Sequence, residues 1–313
     1  MPINTREISY KTFGRVLAVE NGSIELYVTL DIGPRIIRYA LAGGENFMFE
    51  DTDSKIVEKG QAFDDYYYKG AYWRIYGGHR IWLTPESIPE TYYPDNEPVE
   101  YKIAGNKITF TPPRQKSNNV QEELVLTFSE NGSGVEVCAS ATNTLDRPQT
   151  FGIWQISVMC QNGLAIVPQT TRDTGLLHNR RMSLWPYCDM GDERVCWGRE
   201  LISLRQDPAA TRPFKIGTSN ERGFAGYLAN GALFVKRFPF YANYPYPDDG
   251  CNFEIYTNPH FLEIESLGKL APVAPGEKIC TSEYWSIIPN VEKPDGRDMP
   301  ALEKTIARFI EKK

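Results

Sequence analysis

Short period-two stretches bounded by turn dipeptides dominate the hydrophobic pattern of this chain. Ile24, Leu26, Val28 and Leu30 alternate with Glu25, Tyr27 and Thr29, the spacing of a strand with one buried face. Leu124, Leu126 and Phe128 alternate with Val125 and Thr127, and Val135, Val137 and Ala139 follow an Asn131-Gly132 turn. That pair reads as a β-hairpin. Further strands are predicted near 107–111, 151–159, 164–168, 224–228, 232–238, 252–257, 261–267 and 282–288. Turn dipeptides recur at Asn21-Gly22, Asn162-Gly163, Asn230-Gly231, Asp249-Gly250 and Asp295-Gly296, where a left-handed backbone is easily reached.

Helical periodicity is sparse. It is clearest from Met299 to Lys313, where Leu302, Ile306, Phe309 and Ile310 share a face. Asp298 precedes this stretch as a cap, and basic residues end it, which suits the helix dipole. A weaker helix is predicted over 54–63, capped by Asp51 or Asp53. No Pro/Gly/Ser linker, composition shift or fixed-period repeat divides the chain. The reading is all-β: one antiparallel β-sandwich domain over residues 1–313, with a short C-terminal helix at about 299–313.

Composition agrees, with 18 Tyr, 15 Phe, 25 Gly and 22 Pro in 313 residues. The net charge of -6 argues against nucleic acid and anionic membranes as partners, because no basic surplus meets their phosphates. No apolar run approaches the roughly 18 residues that span a bilayer, and the N-terminal residues lack a signal-peptide pattern. Six scattered cysteines form no C-x-x-C pair, so reduced thiols and a cytoplasmic location are expected. A monomer or homodimer is expected.

Several chemistries find no motif. There is no Gly-rich phosphate loop, H-E-x-x-H, G-x-S-x-G or metal-ligand spacing, and the three histidines (His79, His178, His260) are far apart. No metal and no cofactor is expected. The densest polar-aromatic stretch is 72–97, YWRIYGGHRIWLTPESIPETYYPDNE. Its aromatics beside Arg80, His79 and Glu86, with Trp82, are what a sugar site requires: rings for C–H faces and fixed polar groups for hydroxyls. Pro85, Pro89, Pro94 and Pro98 predict a loop there. In FLEIESLG, 261–268, strand alternation sets Glu263 and Glu265 on one face with Phe261 and Leu267. Partial burial of one glutamate beside another raises the pKa of one of them, which suits acid–base work.

Weaker candidates are Arg35 in DIGPRIIRY, Trp154 and Gln155 on opposite faces of FGIWQISVM, and Lys236 with Arg237 in FVKRF. Trp185, Tyr187 and Asp189 in LWPYCDM are expected to line the same cleft. An acidic sugar suits the Arg35, Arg80 and Lys236 positions.

GPRIIRY, GGHRIWLTPE, ATN at 141–143, LWPY, KIG, LFVKRF, NFEIYT and LEIESLG…APGE…EYW together resemble the galactose-mutarotase-like superfamily, most closely an uncharacterised bacterial branch. The resemblance runs from about residue 20 to 290. It implies a single-domain β-supersandwich binding carbohydrate on one concave sheet. In aldose 1-epimerases of that superfamily a histidine protonates the ring oxygen and a glutamate deprotonates the anomeric hydroxyl. The matching glutamate is Glu265, with Glu263 as the alternative. The region matching the acid histidine, 143–159, contains none, and Trp154 and Gln155 stand there instead. His79 resembles a substrate-binding histidine of the superfamily and is the replacement acid.

The expectation is therefore a carbohydrate-binding protein, an aldose 1-epimerase-like isomerase if it is an enzyme. Glu265 and His79 are its catalytic pair, and Arg35, Arg80, Trp82, Glu86, Trp154, Gln155, Lys236 and Glu263 its substrate contacts. The alternatives are a non-catalytic sugar-binding module and a glycoside hydrolase or lyase using two carboxylates such as Glu86 and Glu265.

Overall fold

The computed structural model describes residues 3–310. Two large antiparallel sheets, of eleven and ten strands, pack face to face. In the first, the strand Ile36–Leu41 is followed across the sheet by Gly78–Thr84, Gln149–Met159, Leu262–Leu267, Phe253–Thr257 and Phe214–Thr218. The middle of the second runs Leu164–Pro168, Phe224–Ala229, Ala232–Arg237, Lys278–Pro289, Val135–Asn143 and Val120–Phe128.

Alternation explains the core. Leu26, Val28, Ile81, Ile153, Ile255 and Ile264 of the first sheet meet Leu124, Leu126, Val137, Phe234 and Trp285 of the second in one buried cluster. The predicted hairpin forms, with Phe128 opposite Val135 across the Asn131-Gly132 turn. The C-terminal helix spans Met299–Phe309, and the Asp298 side chain accepts from the Ala301 N–H at 3.1 Å. Its Leu302 and Ile306, with Ile310 just beyond it, cover the outer face of the second sheet against Leu164, Ile166, Leu228 and Leu233. Residues 311–313 of the predicted helix lie outside the described residues. Among the described residues no helix is long and apolar enough to cross a membrane.

Two predicted elements differ. The 54–63 segment is not one helix: Val57–Lys59 is a strand, and only Gln61–Tyr66 is helical. Asp51 accepts from the Lys55 and Ile56 N–H groups at 3.2 and 3.4 Å, which closes a turn and not a helix start. The 72–97 segment is not a loop throughout, because Gly78–Thr84 is a central strand. All four prolines fall after it, from Pro85 onward, where no ladder hydrogen bond is lost.

Gly77 and Gly78 set the start of that strand. Both have positive φ, 95° and 68°, and a Cβ on either would sit 2.1 Å from the Phe49 carbonyl oxygen or 2.5 Å from that of Ile36. Only glycine permits this approach. It brings His79 and Arg80 into the sheet with alternate parity, one facing inward and the other outward.

Candidate active site

The outer face of the first sheet is a cleft of about 770 Å³. The register explains its composition. Arg80 lies opposite Ile156, Ile156 opposite Glu265, and Glu265 opposite Glu254. In flanking rows Trp82 meets Trp154, which meets Leu267, and Glu263 meets Tyr256, which meets Lys215. Five strands, only two of them consecutive in sequence, thus place alternate side chains on one surface. Trp73, Tyr92, Trp185 and Tyr187 wall it from connecting segments.

Glu265 sits on the floor, 1% exposed. Trp154 Nε1 donates to its Oε2 at 3.1 Å, and Lys215 Nζ does so at 3.4 Å. Its Oε1 has no protein partner. Burial, opposed by Lys215 and reinforced by Glu263, pushes this carboxyl up to about 7. Lys215 Nζ also lies 2.7 Å from Glu254 Oε2. The two carboxyls outweigh its desolvation and hold the Lys215 ammonium well above its usual pKa. Glu254 is wholly buried beside that ammonium. The Lys215 ammonium stands 4.5 Å over the Trp185 ring and 5.0 Å over that of Trp154.

Arg80 forms the other charged corner. Its Nη2 donates to Glu263 Oε1 at 3.0 Å, and its guanidinium lies 4.3 Å from the Trp82 ring centroid. Arg80 Nε and Nη1 have no protein acceptor. Glu86 lies exposed on the rim and accepts from Tyr92 Oη at 2.8 Å.

The structure thus gathers Arg80, Trp82, Glu86, Trp154, Glu263 and Glu265 in one cleft, with Trp185 and Tyr187. It places the other named residues elsewhere. His79, next to Arg80, points between the sheets: it is fully buried, with Nδ1 3.0 Å from Ser157 Oγ and its ring edge-on to Trp285. Burial, reinforced by Lys236, holds its pKa well below the usual value. His79 therefore lies on the opposite side of the sheet from the cleft.

Gln155 is likewise interior, donating from Nε2 to the Thr281 carbonyl at 3.0 Å. Lys236 comes from the second sheet and pairs with Glu283 at 2.9 Å, both unexposed. Arg35 is buried in an ion pair with Asp95 and does not line the cleft. Arg237 reaches the Ile310 carbonyl beside the C-terminal helix, and Asp189 is not among the lining residues.

Lys215, Glu254, Tyr92 and Tyr256 were not singled out by sequence reasoning. A signal existed for the first two: each is a lone charge inside an apolar strand, FKIGT and NFEIYT, where burial demands a partner.

No family model and no curated protein sequence matches this chain. Solved structures do. A candidate mutarotase from Salmonella typhimurium superposes with a TM-score of 0.57 at 10% identity, over 92% of this chain and 94% of that one. A galactose mutarotase-like protein from Lactobacillus casei gives 0.55 at 8% identity, over 87% and 99%. A TPR-domain containing protein from Parabacteroides distasonis gives 0.56 at 14% identity over 90% of this chain, which spans about half (49%) of that protein. At such identities the likeness concerns the backbone, and on that evidence the chain has the galactose mutarotase-like β-sandwich fold.

Proposed function

We propose that the cleft binds a carbohydrate and interconverts its anomers, with Glu265 as general base. The observation that carries this reading is the state of the Glu265 carboxyl. It is buried on the floor of an aromatic-walled cavity and pushed up to about 7, with Oε2 held by Trp154 and Oε1 left without a protein partner. A base with a pKa near the working pH is the most effective. Sugar C–H faces fit the Trp82, Trp154 and Trp185 rings, and the two free Arg80 nitrogens fit hydroxyl oxygens.

In the forward step Glu265 takes the proton of the anomeric hydroxyl. The bond from the anomeric carbon to the ring oxygen breaks, and the ring oxygen receives its electron pair and a proton from Lys215. The open-chain aldehyde turns about its first carbon–carbon bond and closes on the other carbonyl face, returning both protons. Lys215 is a strong cation and a weak acid, so its main contribution is to stabilise negative charge developing on the ring oxygen.

Binding without chemistry is the second reading. It is favoured by the lining residues, which include no histidine among those described. Anomer exchange followed by NMR on a panel of reducing sugars separates the two. Exchange above the buffer rate supports the enzyme, and saturable binding without exchange leaves a binding module. A folded protein that binds no sugar of the panel ends both readings.

A further inference from the structure

We propose that the cleft selects a sugar carrying a protonated amine, with the ammonium seated beside Glu86 and Tyr92; this rests on the carbohydrate reading above. Charge is the argument. Five carboxylates line the cavity (Glu58, Glu86, Asp248, Glu263 and Glu265) against two cations, Arg80 and Lys215. With Glu265 neutral, four carboxylates still face those two cations. Both cations are already engaged, Arg80 by Glu263 and Lys215 by Glu254 and Glu265.

The three remaining carboxylates, Glu58, Glu86 and Asp248, are exposed on the rim, and among the described residues none has a salt-bridge partner. The field offered to a ligand is therefore negative. Arg35 and Lys236, which made an acidic sugar attractive in the sequence, are buried elsewhere against Asp95 and Glu283.

A second observation marks this region as a ligand site and not merely an acidic surface. Glu265 Oε1, Trp73 Nε1 and Arg80 Nε and Nη1 are buried atoms of residues that line the cavity, and they have no protein partner. They fit the hydroxyl groups of a polyol. At the rim, Tyr92 packs 4.6 Å from Trp82 and 5.1 Å from Trp73, and its hydroxyl orients Glu86. An ammonium there meets a carboxylate held by a tyrosine hydroxyl beside a cluster of aromatic rings, elements that recognise organic cations. A uronate in the same place would meet like charge.

The test is calorimetric titration of the full chain, at pH 6.5 and low salt, with glucosamine, galactosamine and mannosamine. Each is compared with its parent hexose, its N-acetyl form and the matching hexuronate. The amine forms should bind about tenfold tighter than the parent hexoses. That margin should shrink in 0.5 M salt, as surface charge interactions do. In Glu86→Gln the ratio of amine to hexose affinity should fall most of the way to one. Equal affinity for hexose and hexosamine, or tightest binding of a uronate, overturns the amine preference and leaves carbohydrate binding standing. A preference that survives Glu86→Gln unchanged overturns the assigned seat. No binding of any sugar by the folded chain overturns both this inference and the reading beneath it.

Discussion

The two faces of the strands Gly78–Thr84, Gln149–Met159 and Leu262–Leu267 meet equally buried charged groups, those on the inner side coming from the second sheet. On the inner face, Lys236 pairs with Glu283 and donates to the Ile264 and Gln155 carbonyls at 3.0 and 3.3 Å. Glu283 also accepts from Trp285 Nε1 at 2.7 Å and Ser266 Oγ at 2.5 Å. Lys236 and Glu283 are thus satisfied by each other and their neighbours, although His79 Nε2 and Gln155 Oε1 on the same side have no protein partner. On the cleft face, Glu265 and Arg80 each keep polar atoms without a protein partner. Unpartnered polar atoms therefore occur on both sides; what sets the cleft side apart is that they belong to charged side chains lining a cavity.

Mutation separates the faces. Glu265→Gln keeps the shape and removes the base, so anomer exchange should fall about 10²–10⁴-fold with sugar binding largely retained. Wild-type exchange should rise with pH through about 7 as Glu265 loses its proton. An unchanged rate or a flat profile in that range removes Glu265 as base. Lys236→Met acts on the other face. It strands Glu283 without a counter-charge and should cost about 3–5 kcal/mol in urea unfolding, while Lys236→Met with Glu283→Leu recovers much of it. A single-variant loss below about 1 kcal/mol would show that Glu283 does not depend on Lys236 as described.

Smaller effects sharpen the contrast. His79→Gln should leave exchange by the folded protein within about threefold, under 1 kcal/mol of barrier, whereas a hundredfold drop would return His79 to the chemistry. Trp154→Phe removes a hydrogen bond to charged Glu265, so the midpoint of the pH–rate profile should move upward; a downward move contradicts the assigned donor.

Glu122, in the strand Val120–Phe128 of the second sheet, gives a test by pH. Burial, reinforced by Asp95, pushes it up to about 8 from an unfolded value of 4.5. Because the folded state holds this proton more tightly, its contribution to stability is lost as pH rises from about 4.5 to about 8. Glu122→Gln should therefore flatten the fall in melting temperature across that range. A steeper fall in the variant would reverse the sign.

Strand alternation alone determined that Glu263 shares a face with Glu265, that Trp154 opposes Gln155, and that His79 and Arg80 point apart once 78–84 is a strand. It also made the hairpin at Asn131-Gly132 and the helix after Asp298 readable, because both depend on contacts between near neighbours. Sequence could not say which face of each strand met the other sheet and which met the cleft. That depends on register between strands some 75 to 110 residues apart, such as Arg80 opposite Ile156 and Ile156 opposite Glu265. Parity is all that a two-residue period conveys; a one-residue change of register reverses every side chain. Tertiary pairing, with the Gly77–Gly78 approach to the backbone at Phe49 and Ile36, therefore decided that Arg80 enters the cleft and His79 the core. It also brought Lys215 and Glu254 to Glu265, because a lone charge in an apolar strand announces a partner without naming it.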